Sequence, residues 1–93
     1  MATLLYTTKT VITWASYEDQ MENLDFDYER EQKLQQMAEE GKTDVTAIID
    51  SPTVTRRFFV DTAAAQEYID FVVAGAAKYG LNIVSTEIQE NAI

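Results

Sequence analysis

The chain has 93 residues, a formal net charge of −9, and neither cysteine nor histidine. That length holds a single domain, residues 1–93, and the missing residue types exclude disulfide staples and the common zinc ligands. Negative charge of this size repels phosphate backbones and acidic membranes, so neither nucleic acid nor membrane is expected as a partner.

The opening "MATLLYTTKT" has no basic start and no long apolar run, so no signal peptide is expected. No stretch reaches the length of a membrane span, and a cytoplasmic protein is the expectation. "LLYTTKTVITWA" (residues 4–15) is rich in β-branched and aromatic residues and predicts a long first strand. Ser16, with Asp19 three residues on, has the spacing of a helix cap.

The next segment is the acidic part of the molecule. From Ser16 to Gly41 nine acids face two cations, Arg30 and Lys33, so this stretch carries −7 of the total charge. "EREQKLQQMAEE" is built from strong helix formers. Its apolar residues form two stripes of different phase: Tyr17, Met21, Leu24 and Tyr28, then Phe26, Leu34 and Met37 with the stem of Arg30. One straight helix cannot aim both at one core, so a break is expected near Leu24 to Asp27, with Asp25 capping the second part. Gly41 stands where helices end.

"TDVTAIID" and "VTRRFFV" predict two strands, joined as a hairpin through the turn at Pro52. Asp61 and Thr62 open a second long helix with an apolar stripe of Ala65, Ile69, Val72, Ala76 and Tyr79, and Gly80 closes it. Gly75 inside this helix costs about 1 kcal/mol relative to alanine, which close packing against a neighbour would justify. "LNIVSTEIQ" predicts the last strand.

The order strand, helix, strand, strand, helix, strand predicts an α+β, ferredoxin-like βαββαβ fold. It has a four-stranded antiparallel sheet with two helices on one face. The second face should then be polar, yet strict alternation puts apolar residues on both sides of every strand. The first strand splits Leu4, Tyr6, Ile12 and Trp14 from Leu5, Val11 and Ala15. In the hairpin, Val45, Ala47 and Ile49 oppose Ile48 in parity, and Val54, Phe58 and Val60 oppose Arg57 and Phe59. The last strand splits Leu81 and Ile83 from Val84 and Ile88. An apolar sheet face in water invites association, so a homodimer through that face is expected.

In element order, size and two-sided strands the chain resembles the small ferredoxin-like proteins that pair into dimeric α+β barrels, the antibiotic-biosynthesis-monooxygenase-like domains. Some of these act on small aromatic substrates without a cofactor. The resemblance implies a pocket lined by Tyr6, Trp14 and Arg56 or Arg57, with no metal and no cofactor.

"TRRFFV" also invites comparison with the RNA recognition motif, which shares this element order. Base-stacking aromatics must sit two residues apart on a strand to point the same way. Phe58 and Phe59 are adjacent, so one faces the helices and the other the opposite side, and Arg56 and Arg57 divide likewise. "DFDYERE" spaces acids like a calcium loop, but Arg30 and Gln36 occupy the places where that loop needs glycine and glutamate. Without histidine, a nucleophile elbow or a glycine-rich phosphate loop, catalysis has thin support. The favoured expectation is a homodimeric protein of binding or structural type, with Tyr6, Trp14, Arg56, Arg57, Phe58 and Phe59 as pocket or interface candidates. A small apolar ligand or a basic protein is the expected partner. A cofactor-independent enzyme and an acidic decoy for a basic protein are the alternatives.

Overall fold

In "TKTVITW" every second side chain is buried, and these residues form strand β1, Thr8–Trp14. A computed structural model describes residues 6–21 and 23–90, with backbone alone for residues 21 and 45–50. The predicted start of the first strand at Leu4 and Leu5 lies outside the described residues. Tyr6 is half-buried just before β1.

Ser16 caps the short helix α1, Tyr17–Met21. The Asp19 N–H donates to Ser16 Oγ at 3.2 Å, and the Ser16 hydroxyl donates to Asp19 Oδ2 at 2.7 Å. The expected helix break exists, slightly earlier than its predicted window. Helix α2 spans Leu24–Glu39, and its cap is Asn23 rather than Asp25: the Phe26 N–H donates to Asn23 Oδ1 at 2.9 Å. Gly41 follows the helix at φ 75°, where a Cβ would be strained.

Strands β2, Thr43–Ser51, and β3, Val54–Phe59, form the hairpin around Pro52. Asp61 then caps helix α3, Thr62–Tyr79, accepting from the Ala64 N–H at 2.8 Å, and Gly80 ends it in the left-handed conformation. Strand β4, Ile83–Gln89, closes the fold.

The sheet order is β2-β3-β1-β4, with antiparallel pairing throughout. This is the order of the split βαβ arrangement, and the fold is α+β and ferredoxin-like, with a third, five-residue helix beside the two long ones. Both long helices contribute to one core on one face of the sheet: Phe26, Leu34 and Met37 from α2, and Ala65, Tyr68, Val72 and Ala76 from α3, against Ile12, Trp14 and Phe59.

Gly75 sits where α3 crosses this core. A Cβ built there would lie 2.2 Å from Phe26 Cε1, so α2 and α3 approach closely because residue 75 has no side chain. Phe26 fills that space, stacked on Tyr79 at a centroid distance of 5.6 Å and edge-on to Trp14 at 6.3 Å.

One expectation fails on β4. Thr13 pairs with Ser85 but Trp14 pairs with Ile83, so Val84 is an extra residue in a β-bulge. The bulge reverses parity along the strand. Ile83 and Ile88, which simple alternation separates, both pack against the core, and Val84 is 67% exposed. Val60 lies beyond the end of β3 and also packs inward. The second face is therefore less apolar than alternation predicts: β4 presents Ser85, Glu87 and Gln89 there, opposite Thr13, Val11 and Lys9.

Candidate functional site

Register and pleat divide five of the six candidate residues, Tyr6 lying ahead of β1. Thr8, Thr10, Ile12 and Trp14 are buried toward the helices, and β1 pairs Thr8 with Phe59 and Thr10 with Arg57. Phe59 and Arg57 therefore share the helix-covered face. Phe59 packs on Tyr68 at 5.3 Å, and the Arg57 guanidinium stands 5.9 Å from the same ring. Arg56, opposite Val11, and Phe58, opposite Lys9, belong to the open face. The candidates do not converge on one pocket.

Trp14 is 2% exposed, and its surroundings are filled by side chains. Phe26 meets its ring edge-on, and the Arg30 guanidinium lies 5.5 Å from its centroid and 4.6 Å from that of Phe26. Arg30 Nη2 donates to the Gln20 carbonyl at 2.9 Å and lies 3.5 Å from Asp27 Oδ1. Burial lowers the Arg30 pKa, opposed by Tyr68 and Asp27. An arginine nevertheless stays charged at any ordinary pH, so this group offers no proton acceptor. Trp14 Nε1 and Gln20 Oε1 are buried with no hydrogen-bond partner among the described residues. Arg30 is the residue that the sequence reading undervalued. Its phase with Phe26, Leu34 and Met37 marked its stem as core, and the charged head follows the stem onto the aromatic rings.

Two ion clusters fasten α2 to α3. Glu67 accepts from Lys33 and from Lys42, each at 2.8 Å, and these contacts, Lys33 first, hold its carboxyl below the usual range. The Tyr79 hydroxyl donates to Glu29, which Lys78 also approaches at 3.3 Å. That hydrogen bond lowers the Glu29 pKa and raises that of Tyr79. Between the clusters an open groove of about 430 Å³ is lined by Glu29, Gln32, Lys33, Gln36 and Phe71. Lys33 is committed to Glu67, and Glu29 to Tyr79 and Lys78, so the charged groups that line the groove are already paired. Among the described residues no group of three or more acids could hold a metal ion, and no helix is long and apolar enough to cross a membrane.

The open sheet face is the remaining surface. On β1 it carries Lys9, Val11 and Thr13, all half-buried. Val54, Arg56 and Phe58 flank them on β3, and Ser85, Glu87 and Gln89 on β4. The middle row reads Glu87, Val11, Arg56: an anion, an apolar centre and a cation across three neighbouring strands. Comparison with protein-family models, with curated proteins and with solved structures finds no match to this chain.

Proposed function

We propose that the protein is a non-catalytic homodimeric binding module whose open sheet face pairs with that of a second copy, in the manner of a dimeric α+β barrel. The row Glu87, Val11, Arg56 carries this reading. A two-fold axis running along β1 between two facing sheets exchanges the β3 and β4 sides. Glu87 of each copy then meets Arg56 of the other, Val11 meets its own counterpart on the axis, and Val54 and Phe58 pack over Ser85 and Gln89 of the second copy. A surface that complements itself in this way favours a second copy over an unrelated protein.

The face is small. With the axis on β1 only β3, β1 and β4 overlap, and three strands at normal spacing and about six residues of length give a flat footprint of about 300 Å². Side-chain relief enlarges the accessible area, but the interface stays near the low end of the range for specific complexes, where about 800 Å² per partner is standard. A weak association is expected from so small a face, and a micromolar dissociation constant, about −8 kcal/mol, is the value to test. The enzyme reading is weaker: a substrate site needs a cavity with converging polar groups, and Phe26 and Arg30 fill the space beside Trp14.

Sedimentation velocity across a dilution series tests the reading. The wild-type chain is expected to shift from dimer to monomer over the micromolar range, and Phe58→Asp to remain monomeric. Arg56→Glu and Glu87→Arg should each weaken association about tenfold, and the double reversal should restore it. A wild-type monomer at concentrations well above that range refutes the proposal, as does a double reversal no tighter than the singles.

A further inference from the structure

The outward side of α2 combines features that the core does not require. At 100° per residue, Leu24, Tyr28, Glu31 and Gln35 form one stripe, and Asp25 and Asp27 flank it on either side. Of the buried residues of the same helix, Phe26 and Met37 point the opposite way and Leu34 lies to one side. Leu24 is 78% exposed and Tyr28 66% exposed, and the acids beside them are exposed too. A single exposed leucine needs no explanation, but two large apolar side chains one helical turn apart within a wholly anionic face do.

The structure also draws most of the positive charge off this face, Arg30 keeping only a 3.5 Å approach to Asp27 at its border. Arg30 and Lys33 are the only cations between Ser16 and Gly41. Arg30 is drawn inward over Phe26 and Trp14, and Lys33 inward onto Glu67, leaving their side chains 13% and 17% exposed. Ordinary surface helices mix both signs. Here every charge that points outward along three turns is negative.

We propose that this face docks a cationic amphipathic helix from another protein. Apolar side chains at i and i+3 or i+4 of that helix would cover Leu24 and Tyr28, and flanking lysines or arginines would meet Asp25, Asp27 and Glu31. The other occupants fail on charge. A second copy of α2, a nucleic acid and an acidic membrane are all repelled by the same acids. The site lies on the helix side of the molecule and stands independently of the proposed sheet-face dimer.

The test uses the full chain and a fluorescent 18-residue peptide of leucine and lysine with helical amphipathic spacing. A peptide of identical composition, scrambled to destroy the apolar stripe, is the comparison. The amphipathic peptide is expected to bind at least tenfold tighter than the scramble. Leu24→Ala with Tyr28→Ala should weaken it about tenfold. Asp25→Asn with Glu31→Gln should weaken it at low salt and flatten its salt dependence. All four positions are exposed, so melting temperatures should hold near the wild-type value. Phe58→Asp, on the other side of the sheet, should bind the peptide normally. Equal affinity for the scramble overturns the proposal, because charge alone would then suffice. Unchanged binding by the Leu24→Ala, Tyr28→Ala variant, or loss of binding by Phe58→Asp, overturns it as well.

Discussion

Replacing Gly75 by alanine adds one carbon to the middle of α3, and in most helices that change stabilises by about 1 kcal/mol. Here the added Cβ would stand 2.2 Å from Phe26 Cε1 and 2.7 Å from Cζ, where carbon atoms normally keep about 3.5 Å or more. Relief requires the ring to retreat by more than about 1 Å. Phe26 has nowhere to go, since it is fully buried, stacked on Tyr79, edge-on to Trp14 and capped by the Arg30 guanidinium. Overpacking of this kind costs about 3 kcal/mol, the upper part of its usual range, and the helix gain offsets about 1. The net loss of about 2 kcal/mol lowers the melting temperature by about 10 °C in a domain of this size. Thermal and urea unfolding followed by circular dichroism measure it. In a Phe26→Leu background the obstructing ring is gone, so the same Gly75→Ala change should become neutral or stabilising. A Gly75→Ala protein as stable as wild type, or a cost that persists without the ring, would show that α2 and α3 do not meet as described.

Arg30→Met should change stability by less than about 1 kcal/mol in urea unfolding, because it keeps the packed stem and removes a charge that is costly to bury. Arg30→Ala should cost about 2–3 kcal/mol by leaving a cavity against Trp14 and Phe26. Glu67 gives a pH signature. Its folded pKa lies below the ordinary 4.5, so its contribution is present above that value and is lost as pH falls through the depressed folded pKa. Glu67→Gln should therefore lose less than about 1 kcal/mol at neutral pH and flatten the acid limb of a stability–pH profile. An unaltered acid limb would remove Glu67 from the account.

The parts of the fold that were legible in the sequence depend on local chemistry. Ser16, Asp61, Gly80, Gly41 and Pro52 each act through their own backbone or the next turn, and each does in the structure what its residue type suggests. Asn23 and Asp25 are both competent caps, and no local rule chooses between them. The placement of Phe26 against Gly75 sets the helix phase, and that contact joins segments 49 positions apart in the chain. The bulge at Val84 was invisible for a related reason: it exists only in the register against β1. Alternation counted from Ile83 alone therefore overstates the apolar character of the open face. The stripe of Tyr17, Leu24 and Tyr28 was readable as apolar, but its exposure was not, because Phe26, Leu34 and Met37 win the competition for the core.

That competition also links the two proposed surfaces. The open sheet face and the outer side of α2 lie on opposite sides of the domain, separated by the sheet and the shared core. Pairing two copies through their sheets leaves both α2 faces uncovered and directs them away from the interface. A dimer of this design presents two anionic, leucine- and tyrosine-bearing helices to its surroundings. A partner with one cationic helix would gain nothing from the pairing. A partner carrying two such helices on a linker long enough to span the dimer would gain avidity without any new contact. The two surfaces then predict a coupling that neither predicts alone. Phe58→Asp should leave the affinity for a single amphipathic peptide unchanged, and should abolish the advantage of a tandem peptide over a single one. If the tandem advantage survives in a monomeric Phe58→Asp protein, the two helices are not being presented by a sheet-paired dimer.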